Sequence, residues 1–384
     1  MIKKIFPVSD FLYILQLEEY ETKRYLKTIK RLFWKRNLQN RDKLVYTKRI
    51  KITHILSLPL CILLFPLTPL WIGLVNIILG PYFEWIKLNI QKKAAKYFKE
   101  NSKTTHVIAI AGSYGKTTTK NYIYELVKYN YKAQMTPGNI NTPTGIAYWI
   151  LNNFDLTSEL LIVEVDAYFI GEIRRSLRIT PPDIAILTNV GDQHLERLGS
   201  KKNLKKALQE IFKYSKPNAI KIQNKKSNLE YALEVAKVLE IPKDIVQDTV
   251  KKIKLPDRRG DTKVINSFEV VDQSYNISET TAKAGIDQAL KMAKNKHKKL
   301  IVITAGIPEL GEENKDGNKK LGKYLSDKVD KIILLKSILY KEVLSDSEKF
   351  ILANDLNEAW EILGGFDPQK YLVLLEPELN DLYY

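Results

Sequence analysis

The stretch HVIAIAGSYGKTTTKNYIYEL, His106–Leu126, decides how the rest of the chain is read. It opens with small and β-branched apolar residues, as a buried parallel strand does. It turns at Gly112-Ser113-Tyr114-Gly115 and continues with helical spacing from Lys116, Thr117, Thr118 and Thr119. Strand, glycine turn, Lys-Thr and helix is the order of a phosphate-binding loop. Glycines let backbone N–H groups come close to phosphate oxygens, and the helix N-terminus favours negative charge. The N–H groups of residues 113–116 are therefore expected to converge on phosphate, with Lys116 neutralising its charge. The hydroxyl of Thr117 or Thr118 is expected to hold Mg²⁺. The loop is short: where the commoner spacing has its first glycine, this chain has Ile110.

Two further segments read as strands of the same parallel sheet, LLIVEVDA and PDIAILTNV. Glu164 ends the first, and Asp166 follows on the same face. A carboxylate at the tip of a neighbouring strand suits a Mg²⁺ ligand, although an ordinary strand-end charge reads the same way. His194 follows the second strand in GDQHLERLGS, where a metal or phosphate role competes with a solvated surface histidine.

Alternating strands and helices run from about residue 104 to 253 and predict a parallel α/β domain with ligand groups at the strand carboxyl ends. LPDRRGDTKVINSFEVVDQSYN marks a junction to a second α/β unit over 254–384, with strands FEVVDQ, KKLIVITAG, KIILL and YLVLLE. Ser278 is placed to cap the helix that follows the first of these.

Before residue 104 the chain is different. The net charge is +17, and residues 1–103 hold 20 Lys+Arg against 7 Asp+Glu, so +13 of it lies there. From Ile52 to Phe83 no charged residue occurs. Basic flanks around an apolar run point to anionic lipid and away from nucleic acid. Residues 1–51 read as a basic amphipathic region lying on a membrane surface, with Leu12, Leu15, Tyr20, Tyr25, Leu26, Leu32, Phe33 and Trp34 as its apolar side; the alternative is a solvated helix that packs on the next domain. Residues 52–103 read as a membrane segment and basic linker, either one span or a hairpin bent at Phe65–Pro69, the hairpin keeping both basic flanks on one side. The apolar run begins too late for a secretory signal peptide. The single cysteine, Cys61, excludes an intrachain disulfide.

In order along the chain, AGSYGKTTTK, TPGNINTPTG, IVEVDAYFIGEI, DIAILTNVGDQHLERLGS, VVDQSYNIS and AGIPELGE resemble the motifs of the Mur ligase family, in its MurF type. That type adds D-alanyl-D-alanine to a peptidoglycan precursor. The resemblance implies an ATP-dependent carbon–nitrogen ligase working through an acyl phosphate, with ATP and Mg²⁺. It implies that Gly112, Ser113, Tyr114, Gly115, Lys116, Thr117 and Thr118 bind ATP together with Asn276 and Arg258. It further implies that Lys116 contacts the transferred phosphoryl group, that Thr117 and Glu164 hold one Mg²⁺ and that His194 helps place a second. Asn139, Asn141 and Thr142 fall where the family meets its carboxyl substrate. The partners implied are a UDP-linked or lipid-linked cell-wall precursor and an amino acid or dipeptide amine. The implied location is the cell membrane, with the catalytic domains cytoplasmic.

The sequence departs from the family at four points. A basic membrane segment stands where the family has an N-terminal UDP-binding domain. Leu208 occupies the position of a lysine that many members carbamoylate, with Lys205 and Lys206 just before it. Gln273 replaces the second aspartate of DDSYN, and the region after Phe212 is shorter than usual. Asp192 and Asp166 are the candidates for a substitute second-metal ligand. A poly-γ-glutamate synthase-type membrane ligase and a ligation-deficient ATP-binding scaffold remain as alternative readings.

Overall fold

The computed structural model describes residues 8–32, 43–63, 65–138, 140–191, 195–253, 258–345 and 347–383. They fall into two units, Met1–Asn89 with Leu379–Tyr384, and Ile90–Glu378.

The first unit is helical: α1 (Val8–Leu17), α2 (Thr22–Leu32), α3 (Lys48–Leu63) and the first part of α4 (Thr68–Asn101). Between α3 and α4 lies a 3₁₀ turn, Phe65–Leu67. Pro66 has no N–H to continue α3, and Pro69 sits in the first turn of α4, where its missing N–H costs nothing. The two helices fold back on each other. Arg49 Nη2 donates to Asn76 Oδ1 at 2.7 Å, and its guanidinium lies 4.3 Å from the Tyr20 ring and 5.2 Å from the Phe83 ring. The bend thus falls where the sequence put it. The role expected for the preceding helices does not hold. Leu12, Leu15, Tyr25 and Leu32 are buried with Ile50, Cys61 and Ile72, and Tyr20 and Leu26 pack against the same cluster. Helices α1 and α2 spend their apolar stripe on the hairpin, so those side chains are not free to meet lipid. Phe33 and Trp34 lie outside the described residues. Among the described residues, α4 is the one helix long and apolar enough to cross a membrane by length and composition.

The second unit holds two sheets. Strands β1 (His106–Ala111), β2 (Ala133–Met135), β3 (Leu160–Glu164), β4 (Ile184–Leu187) and β5 (Ile220–Ile222) form a parallel sheet in the order β2-β3-β1-β4-β5. Val107–Ala111 and all of β3 are buried, which explains their unbroken apolar character. Helices line both faces. One core includes Ala109, Val163 and Leu208, and the other includes Ile108, Ile162 and Tyr231. The register aligns Ile110 with Glu164 and with Ile186, so the strands end together at one edge.

The second sheet contains β6 (Asp261–Ile265), β7 (Phe268–Asp272), β8 (Lys299–Thr304), β9 (Lys331–Leu335), β10 (Phe350–Ala353) and β11 (Tyr371–Leu375), ordered β10-β9-β8-β11-β7-β6. Only β6 is antiparallel. Ser278 caps the helix Glu279–Asn295 with a reciprocal capping box through Thr281, as its position predicts.

Candidate nucleotide-phosphate site

The loop after β1 is shaped by two glycines at which any other residue would be strained. Gly112 has φ 148°, and a Cβ there would lie 1.9 Å from Thr188 Oγ1. Gly115 has φ 85°, and its Cβ would lie 2.3 Å from Asn228 Oδ1. Thr188, just beyond β4, donates its hydroxyl to Tyr114 O at 2.8 Å. Ser113 N donates to Asn189 O at 2.9 Å, so this N–H, expected to meet phosphate, is already used.

Helix α5 (Lys116–Val127) starts at the loop and presents Lys116, Thr117 and Lys120 to the end of β3. Lys116 Nζ donates to Gly112 O at 2.6 Å and pairs with Asp166 Oδ2 at 3.1 Å. Thr117 Oγ1 donates to Glu164 Oε2 at 2.8 Å. Thr118 is buried beside it, and it is the hydroxyl of Thr117 that meets the carboxylate. Lys120 Nζ lies 3.1 Å from Glu164 Oε2 and donates to Thr136 O and Gly138 O at 2.9 and 3.0 Å. Burial pushes the Lys120 ammonium below its usual range, Glu164 holds it up, and Arg259 adds to the lowering. Two buried lysines and two buried carboxylates thus compensate each other in a site where an unpaired charge would be costly. The sequence reading missed Lys120. Its signal was the spacing, since a residue four after Lys116 lies on the same helix face.

The remaining expected residues divide. Asn141 O accepts from Asp166 N at 3.0 Å, which puts Asn141 beside the site. Thr142 is the N-cap of the helix Pro143–Asn153, its hydroxyl accepting from Gly145 N at 3.2 Å. Asn139, Asp192 and His194 lie outside the described residues. Arg258 is held by Ser274: Nε donates to Ser274 Oγ at 2.9 Å and Nη2 to Ser274 O at 2.7 Å. Its neighbour Arg259 interacts electrostatically with Glu164. Burial lowers the Arg259 guanidinium from its usual range, Tyr275 and Glu164 oppose that, and its centre stands 3.7 Å from the Tyr275 ring. Asn276 is exposed, with Oδ1 accepting from Ile277 N at 2.8 Å.

Other departures from the family pattern have clear places. Leu208 is 1% exposed and belongs to the sheet core, while Lys205 and Lys206 point outward. Gln273 Oε1 is buried without a hydrogen-bond partner. LERLGS and IPELGE, far apart in sequence, touch: Glu196 N donates to Glu309 O at 3.0 Å, and just beyond them Lys201 pairs with Glu313 at 3.0 Å.

The donors suit a small hard cation. Glu164 Oε2 and Thr117 Oγ1 are oxygens, and they share one point. No group of three or more His, Cys, Asp or Glu capable of holding a metal occurs among the described residues. Phosphate and water oxygens would be available to complete the shell of a cation held here.

Residues 110–280 match the family model of the Mur ligase middle domain. Among curated proteins, the UDP-N-acetylmuramoyl-tripeptide–D-alanyl-D-alanine ligase of Bacillus subtilis (strain 168) is 34% identical over 133 residues, 35% of this chain and 28% of that one. The enzyme of the same name from Rickettsia prowazekii (strain Madrid E) is 36% identical over 137 residues, 36% of this chain and 30% of that one. The matched segment therefore spans less than a third of these relatives. Among solved structures, the MurF ligase from Thermotoga maritima in complex with ADP superposes with a TM-score of 0.68 at 24% identity, covering 76% of this chain and 80% of that one. A pseudomurein peptide ligase type C from Methanothermus fervidus gives 0.58 at 15% identity, over 73% and 77%. The fold is shared with both.

Proposed function

We propose that this chain, whose residues 110–280 match the Mur ligase middle domain, is an ATP-dependent amide ligase of the MurF type that joins an amino acid or dipeptide, such as D-alanyl-D-alanine, to a peptidoglycan precursor. The observation that supports this most is the cluster at the end of β1 and β3: a glycine loop, Lys116 and Lys120 on one helix face, and Glu164 with Thr117.

In this reading a precursor carboxylate attacks the γ-phosphorus of ATP, the bond to the β-phosphate oxygen breaks, and ADP leaves. The amine then attacks the acyl carbon, and the tetrahedral intermediate expels phosphate to leave the amide. Most of the catalytic work is positioning and charge neutralisation. Lys116 exchanges Asp166 for the phosphoryl oxygens. Lys120 keeps Glu164 in place, and Arg259 brings a cation from the second sheet's side of the unit. Glu164 and Thr117 would hold Mg²⁺, which when bound offsets charge on the phosphates. Asn139, Asn141 and Thr142 are assigned to the carboxyl substrate and His194 to a second cation, on the family resemblance alone.

The test is phosphate release from ATP with UDP-N-acetylmuramoyl-tripeptide, with and without D-alanyl-D-alanine, followed by mass analysis of the product. Release that needs both substrates and yields the joined product supports the reading. Release that is indifferent to them leaves a plain ATPase.

We also propose that Met1–Asn89 attaches the enzyme to the membrane. Ile55, Ile62, Leu63, Leu70, Ile77, Ile78 and Trp85 are exposed in a region flanked by lysines.

A further inference from the structure

Resting on that membrane reading, we propose that Met1–Asn89 docks face-on into a single leaflet through one side of the α3–α4 hairpin, and does not cross the bilayer.

The hairpin has two unlike sides. On α3, Thr53, Ser57 and Cys61 are buried, while Ile55, Leu58 and Ile62 are exposed. On α4, Ile72, Val75 and Asn76 are buried, while Leu70, Leu74, Ile77 and Ile78 are exposed. Steps of three and four along each helix make one continuous apolar stripe. Leu63 is 76% exposed and Ile78 67%, and a contiguous exposed apolar run of this kind marks an interaction surface.

The opposite side is covered by charged helices. A Cβ on Gly73 would lie 3.5 Å from Thr22 Cγ2, 3.6 Å from Leu26 Cδ2 and 3.7 Å from Tyr25 Cε1. Helix α2 therefore runs against the middle of the uncharged stretch, and its Lys23 and Lys27 are exposed within a helical turn of that level. Driving the hairpin through a bilayer would carry these lysines into hydrocarbon. Ile52–Leu63 makes about 18 Å of helix, short of a hydrocarbon core of about 30 Å. Helix α4 is long enough to span, but its uncharged part, Thr68–Phe83, makes about 24 Å, so a span would have to take in Glu84.

The occupant of the stripe is lipid. Tyr46, Tyr82 and Trp85 are exposed near its charged end, where amphipathic rings favour the headgroup boundary. Lys48 and Lys51 at one base and Lys87 at the other add positive charge, within a segment of 20 Lys+Arg to 7 Asp+Glu over residues 1–103. A membrane-surface element carries this combination of an apolar face, aromatic margin and basic rim.

The experiment uses the full chain with Cys61→Ala and single cysteines at Ile55, Leu63, Ile78 and Lys27, each carrying an environment-sensitive fluorophore. Vesicles of phosphatidylcholine and phosphatidylglycerol contain spin-labelled lipid with the quencher either near the headgroup or at the bilayer centre. The protein should float with the vesicles. The labels at Ile55, Leu63 and Ile78 should all be quenched more by the shallow lipid, and the label at Lys27 by aqueous iodide alone. Because Cys61 is buried, Ile78→Cys can also be labelled with Cys61 left in place. Flotation with Leu63 at the bilayer centre, or with Lys27 shielded from iodide, overturns face-on docking and leaves membrane attachment standing. Absence of flotation overturns both, and self-association that shields Ile78 would give the stripe to a second copy.

Discussion

Thr117 Oγ1 donates to Glu164 Oε2 across 2.8 Å, joining the first turn of α5 to the last residue of β3. The same oxygen lies 3.1 Å from Lys120 Nζ. One carboxylate oxygen is thus shared by a hydroxyl and an ammonium, and a cation binding there must take over the hydroxyl's place as partner. Thr117→Val keeps the shape and removes that oxygen. The Mg²⁺ concentration for half-maximal ATP turnover should rise about tenfold, the loss of one hard ligand, with little change in thermal stability. An unchanged Mg²⁺ titration would exclude Thr117 as a ligand.

Arg258 and Arg259 should separate cleanly. Arg259→Ala removes a half-buried guanidinium near Glu164, and kcat should fall about a hundredfold, as for loss of one pre-placed charge partner. Arg258→Ala removes the bonds to Ser274, and should lower stability by about 1 kcal/mol with kcat near wild type. Steady-state kinetics and thermal melts of the two variants check this, and the reverse pattern would contradict the assignment.

The core position of Leu208 predicts activity without carbamoylation. Ligation in CO₂-depleted buffer should not respond to added bicarbonate, because Lys205 and Lys206 point away from the core that holds residue 208. Leu208→Lys should not restore a family-like site. It would bury an unpaired ammonium among Ala207, Ile211 and their neighbours, and should cost about 3 kcal/mol or more in a denaturant titration. Strong bicarbonate rescue of the wild type would show that a lysine elsewhere is modified.

Glu376, after β11, gives the stability a pH slope. Complete burial raises its carboxyl from 4.5 to about 7. The folded state therefore holds this proton more tightly than the unfolded chain does. The associated stability is full below about pH 4.5 and is lost as pH rises towards 7, on the order of 3 kcal/mol in total. Chemical denaturation of wild type and Glu376→Gln between pH 5 and pH 8 should show this decline in the wild type and not in the variant. Parallel curves would contradict it.

The loop and its lysine were legible because a β-branched strand, two glycines and a Lys-Thr helix start are local signals. Glu164 was legible because a strand end is local too. Arg259 was not, since which of two adjacent arginines interacts with Glu164 depends on Arg258 being held by Ser274, sixteen residues away. Helices α1 and α2 were read as lipid-facing because an amphipathic stripe looks the same whether protein or lipid covers it. Burial of Leu12 and Tyr25 decided that point. Strands β2 and β5 are three residues each, and β6 has a mostly exposed edge pattern, so none of them carries the unbroken apolar run that marked β1 and β3.

Ligation through an acyl phosphate is tested by following the oxygen of the carboxyl substrate. The protein is supplied with ATP, D-alanyl-D-alanine and UDP-N-acetylmuramoyl-tripeptide whose reacting carboxylate is labelled with ¹⁸O, and the released phosphate is analysed by mass spectrometry. The account predicts phosphate carrying one labelled oxygen for every amide formed. Unlabelled phosphate, or phosphate released without amide, would contradict it.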